Sequence, residues 1–130
     1  MKKILLSAIL LFSMIAVKAQ ASLTIENNSQ RTLTVKVMQS YEGKVSLFET
    51  LTIGSFGNQT TYFSESGSFF TKTKAVMNGK NPVYRKGKPF RVTNDASGYS
   101  VRTITFSITE SSIPQATGGV SISKSEFDQN

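Results

Sequence analysis

Cysteine, histidine and tryptophan are absent from the 130 residues, and proline appears only three times. Each absence removes a class of chemistry. Without cysteine there are no disulfides, catalytic thiolates or zinc–thiolate sites. The acylated cysteine of a bacterial lipoprotein is missing for the same reason. Without histidine there is no side chain that shuttles protons near neutral pH, and no imidazole for a metal. Most hydrolytic constellations need one or the other, so the sequence predicts neither an enzyme nor a cofactor.

Acids are scarce as well, eight against fifteen lysines and arginines. They are Glu26, Glu42, Glu49, Glu65, Asp95, Glu110, Glu126 and Asp128. A glycosidase needs two carboxylates about 5–10 Å apart in a cleft, and no two of these fall in a recognisable motif. A pocket joining Glu49 to Glu65 or Asp95 would be required to revive that idea. The parity of Glu49 sets it among Val45, Leu47, Leu51 and Ile53, which a paired or bulge-displaced carboxylate explains. Asp95 lies in Asn94-Asp95-Ala96-Ser97-Gly98, which lacks the ligand spacing of a calcium loop; the sequence predicts a turn there. No Gly-x-Ser-x-Gly elbow is present.

The one long apolar run is Ile4–Val17, broken only by Ser7 and Ser13. It follows Lys2 and Lys3 and ends in small residues at Ala16, Ala19 and Ala21. This is the pattern of a Sec-type secretory signal peptide, and 14 residues are fewer than the roughly 20 that span a bilayer. Cleavage is expected after Ala19, with Ala21 as the alternative. The lysine-rich start and the Lys-Ala-Gln exit resemble signal peptides of Bacteroidota. The expected product is an exported, periplasmic or secreted domain over residues 20–130, not a lipoprotein. Its 111 residues are enough to fold without staples.

Downstream, apolar and polar residues alternate with a period of two, which places them on opposite faces of strands. Tyr99–Thr109 is the clearest case, with Ile104, Phe106 and Ile108 against Thr103, Thr105, Ser107 and Thr109. It is expected to be the central strand, with a bulge near Arg102 or burial on both faces at its start. Ser22–Glu26 and Arg31–Met38 read as a hairpin, followed by strands over Val45–Ile53, Gln59–Ser64 and Ser68–Met77. Val83–Arg85 and Phe90–Thr93 read as a second, tight hairpin around Lys86-Gly87-Lys88-Pro89, and Val120–Ser123 as an edge piece. A capping box at Ser123–Glu126 predicts one turn or a frayed end from about residue 124. Turn signals every ten residues or so predict an all-β fold: a β-sandwich, immunoglobulin-like or a related Greek key, of about seven or eight strands. The whole pattern resembles small exported β-sandwich proteins of Bacteroidota.

Charge is the asymmetric feature. Lys2, Lys3 and Lys18 carry three of the seven net positive charges, leaving +4 on the mature chain. Residues 72–102 hold Lys72, Lys74, Lys80, Arg85, Lys86, Lys88, Arg91 and Arg102 against Asp95 alone, a local +7; the remainder sums to −3. Such a field attracts polyanions. Lys72, Lys74, Arg85, Lys86, Lys88 and Arg91 are therefore the candidate anion contacts, and the candidate partners are acidic polysaccharide, lipid headgroups or an envelope protein. The plainer reading is that edge lysines prevent sheet aggregation. Sheet-edge contacts between proteins are the alternative mode of action. The Asn27-Asn28-Ser29 and Asn58-Gln59-Thr60 sequons imply surface exposure only. Phe56, in a Gly/Ser loop, is the aromatic most expected to be exposed, as a contact anchor or, on the favoured reading, folded back as a lid.

Overall fold

A computed structural model describes residues 20–130; the expected signal peptide, residues 1–19, lies outside the described residues. The described chain forms an all-β sandwich. Its strands are β1 (Ala21–Asn28), β2 (Thr32–Tyr41), β3 (Lys44–Ile53), β4 (Asn58–Phe63), β5 (Gly67–Val76), β6 (Val83–Lys86), β7 (Phe90–Val92), β8 (Asn94–Asp95), β9 (Gly98–Tyr99), β10 (Val101–Thr109), β11 (Gln115–Ala116) and β12 (Val120–Ser121). One helix, α1 (Lys124–Asp128), follows. The higher strand count than expected comes from two- and three-residue pieces that only tiny ladders reveal.

One sheet has the order β11-β10-β1-β4 and the other β12-β6-β5-β2-β3, with β7 also on β5; β8 and β9 pair alone. The chain therefore changes sheet after β1, after β3 and after β4, again before β10, and once more after β11. This corrects the first expected hairpin. β1 and β2 do not pair, because the polar turn between them spans the gap between sheets. Asn27 fixes that crossing. Its Nδ2 donates to Arg31 O (2.6 Å) and Gly54 O (2.9 Å), while its Oδ1 accepts from Ser29 Oγ (2.6 Å).

The β2–β3 hairpin forms as the sequence predicts. Glu42 (φ 51°) and Gly43 (φ 77°) adopt the left-handed pair that a two-residue hairpin turn needs. Further along, the register slips between Val37 and Met38, leaving Phe48 as an extra residue on β3. The bulge splits the expected apolar face. Leu51 and Ile53 enter the core, whereas Leu47 and Val45 turn to the outer side. Phe48 is thereby aimed inward, stacked on Phe63 (5.1 Å) and edge-on to Phe69 (5.3 Å).

The inner faces contribute Leu23, Ile25, Leu33, Val35, Val37, Ile53, Phe63, Phe69 and Phe106 to one apolar cluster. Each such side chain contributes about 1.5–3 kcal/mol by leaving water. Glu49, on the inner parity of the edge strand β3, accepts a hydrogen bond from Thr61 of β4. Together with the Phe48–Phe63 stack, it closes that side of the sandwich.

The opposite side departs from expectation. β6 and β7 do not pair with each other; both lie end to end along β5, with Lys72 opposite Lys86 and Ser68 opposite Arg91. Gly87 bridges them by donating its N–H to Thr71 O (2.8 Å), and a Cβ there would come within 2.8 Å of Thr71 Oγ1. β10 stands between β1 and β11, as a central strand should, but only over its last residues. It runs parallel to β1 from Val101 to Ser107, but meets β11 only at Ile108 and Thr109. Its start holds neither a bulge nor double burial. Tyr99 belongs to the separate β8–β9 ribbon, and Val101 is 70 % exposed.

Candidate functional site

The basic stretch does not form one surface. The pleat of β5 and β6 sorts it into parts with different surroundings.

Lys72, Lys74 and Lys86 share the outer face of the larger sheet, where Lys36 of β2 joins them opposite Lys72. Helix α1 lies on this face. Its five residues are too few to be stable alone, so docking must hold it. Ser123 Oγ caps it by accepting from Glu126 N–H (3.1 Å), the N-cap half of the expected capping box, and the expected single turn is packed rather than frayed. Phe127 is buried beside Tyr84 (5.6 Å between rings) and under the Lys36 ammonium (4.8 Å).

The C-terminal carbonyls of α1, which a helix leaves without partners, receive these lysines. Lys72 Nζ donates to Glu126 O and Gln129 O, both at 2.8 Å, and Lys36 Nζ donates to Phe127 O (3.0 Å). Lys86 stands 3.6 Å from Glu126 Oε1 and 5.1 Å over Phe70. Lys72 is only 5 % exposed. Its burial, then the charge of Lys36, pushes the ammonium below the ordinary lysine value, with Glu126 acting against both. Lys124 pairs with Asp128 (2.6 Å), which raises the lysine and lowers the carboxylate from their ordinary values. Three of the six candidate anion contacts thus form a platform for the chain's own C-terminal segment.

Arg85 has the opposite parity and points to the seam between the sheets. It donates to Gly119 O (2.9 Å), Ser121 Oγ (3.0 Å) and Gly118 O. These bonds pin the crossover from β11 to β12 against β6. Gly119 is obligatory there: it has φ 60°, and a Cβ would sit 1.9 Å from Lys86 O.

Lys88 and Arg91 are exposed and make no ion pair among the described residues. Arg91 leaves the outer face of β7. Lys88 lines an open cleft with Pro89, Phe90, Thr71, Ile104 and Arg102. Arg102, on the inner parity of β10, reaches across the mouth of this cleft and sits 5.0 Å over Phe90. A narrower recess behind it is walled by Ile25, Thr73, Ile104 and Phe106. On this side the Gly118–Gly119 crossover joins the two sheets at one end, and the cleft opens beside it.

The acids do not converge. Glu49 is bonded to Thr61, and Asp95 accepts from the Ser97 hydroxyl and N–H within its own turn, which holds its carboxyl below the usual range. Among the described residues no three acids cluster where a metal could bind. No helix among them is long and apolar enough to cross a membrane. Phe56 does not fold back as a lid; it stays 64 % exposed at φ 57°, with its N–H donated to Ser29 O (3.0 Å). Lys36 and Arg102 are the important residues outside the six candidates. The alternation of β2 puts Lys36 on the polar face, but its pairing across from Lys72 depends on strand order.

No protein-family model matches the chain, and no curated protein matches it.

Proposed function

We propose that this chain is an exported, non-enzymatic binding module whose contact surface is the open seam between β7 and β10. One observation carries the reading: Lys88 and Arg102 line an open cleft, while Lys72, Lys74 and Lys86 face the chain's own helix. Cations that are free at a concave apolar site attract an anionic partner and orient it. Arg91, on the outer face of β7, does not line the cleft but adds to the field beside it. A second reading, an assembly protein acting through sheet edges, is favoured by the unpaired length of β10.

Retention of residues 20–130 on immobilised dextran sulfate across a salt series separates the two. Replacing Lys88, Arg91 and Arg102 together by serine is expected to weaken retention about tenfold or more at low salt, as loss of one or two charge contacts implies. Replacing Lys74 and Lys86 by serine should leave it near wild type. If the second variant elutes early and the first does not, the helix platform is the surface and the seam reading is wrong. If wild type elutes at low salt but forms salt-insensitive oligomers as concentration rises, the assembly reading holds.

A further inference from the structure

The free edge of β10 identifies a partner more specific than a polyanion. Ser107 N–H donates to Thr117 Oγ1 and Thr117 N–H donates to Ser107 O, both at 2.9 Å. Ser107 therefore turns its backbone groups away from β1. Ser100 O, in contrast, accepts from Ser22 N–H on the β1 side (2.9 Å). With the two-residue period of a strand, the N–H and C=O groups of Val101, Thr103 and Thr105 all face the same way as those of Ser107. Among the described residues no strand meets them.

The chain starts to cover this edge itself and then stops. β11 runs antiparallel along the end of β10, Thr117 takes one more step, and Gly118–Gly119 then carries the chain across to β6. The line of β11 is left vacant beside Val101–Thr105. Opposite the vacancy is β7, which pairs β5 on one edge only.

We propose that this vacancy accepts an extended, acidic segment of a partner polypeptide, added to β10 as a strand in line with β11. The proposal rests on the binding-module reading and names its partner class. About five residues would span the edge. Their outward groups would face solvent beside Thr103 and Thr105, and their inward side chains would meet Ile104 and Phe90, with a carboxylate near Arg102 and Lys88. Polysaccharide satisfies the cations but not the alternating donors and acceptors at peptide spacing; a peptide satisfies both. A second copy of this chain is disfavoured, because two β10 edges would bring Arg102 from both copies with no acid in Val101–Thr109 to offset them.

The probe is a fluorescein-labelled peptide, Thr-Asp-Thr-Val-Thr-Val-Thr, titrated into residues 20–130. The expected Kd is on the order of 10–100 µM, with amide exchange slowed at Val101, Thr103 and Thr105. Two N-methylated forms, blocking alternate amides, should behave differently: one loses at least about tenfold in affinity and the other stays close to the parent. Thr103→Pro should lose at least as much with its thermal midpoint kept, since proline is tolerated where an edge N–H faces outward. Thr105→Pro serves if Thr103→Pro unfolds. Equal binding of both methylated peptides means contact by charge alone and overturns strand addition while leaving the module reading intact. No binding up to about 1 mM, with dextran sulfate still retained, overturns it likewise. Failure of both probes overturns the binding-module reading as well.

Discussion

Replacing Arg31 by methionine is expected to destabilise the domain by about 3 kcal/mol and to lower its Tm by more than about 10 °C. Arg31 is fully buried. Its guanidinium forms a fork on Glu110 (Nε to Oε2 2.8 Å, Nη2 to Oε1 3.0 Å) and also donates from Nη1 to Ala75 O (3.1 Å) and Asn81 O (2.8 Å). It thereby ties the end of β10 to the end of β5, in the other sheet, and to the loop after β5. Methionine fills the volume but leaves two carbonyls and a carboxylate without donors. The cost falls at the low end for a broken buried pair because Glu110 keeps 27 % of its side chain in solvent and can rehydrate. Arg31→Lys should rescue little, since an ammonium cannot reproduce the fork. An unchanged Tm in Arg31→Met would mean that the network does not hold the sheets together.

The same network sets an acid dependence. The hydrogen bond from Arg31 holds the Glu110 carboxyl below its ordinary value of 4.5. A carboxylate depressed in the folded state stabilises above its unfolded pKa, and that contribution is lost as pH falls through the folded value. Wild type and Glu110→Gln should therefore differ most near neutral pH and converge below about pH 4.5.

Phe127→Ala is expected to release helix α1. Truncating a buried phenylalanine costs about 3 kcal/mol or more, and a five-residue helix has no stability of its own to set against it. The loss should be largely local, because the β ladders do not depend on α1. Amide exchange at Phe127 and Gln129, whose N–H groups bond Ser123 O (3.0 Å) and Glu126 O (3.3 Å), should rise to that of an unfolded end. Global Tm should fall by less than in Arg31→Met. Protection that persists in Phe127→Ala would show that Lys36 and Lys72 hold the helix by themselves.

Alternation along β2, β5 and β10 made the all-β class legible from composition and period alone. Pairing was less legible, for identifiable reasons. Asn27–Arg31 has the composition of a hairpin turn, yet the hydrogen bonds of the Asn27 side chain make it a crossing between sheets. Lys86–Pro89 also looks like a tight turn, but the Gly87 N–H continues along β5 and turns the expected hairpin into two strand segments in line. One extra residue, Phe48, reversed the faces of Val45 and Leu47, and the odd parity of its neighbour Glu49 was the local hint of it. The concentration of cations between 72 and 102 was plain in the sequence. Their division between platform, crossover and seam was not, because it depends on which strand lies beside β5 and on where the C-terminal segment docks. Phe127 was the available clue: an aromatic just after a capping box needs an apolar seat.

The most direct test of that division is lysine acetylation read by mass spectrometry, with and without dextran sulfate. Lys44, Lys80 and Lys88 are expected to acetylate fast and Lys72 and Lys36 slowly, with protection by the polyanion centred on Lys88. Lys72 reacting as fast as Lys80, or protection centred on Lys74 and Lys86 instead of Lys88, would contradict that division.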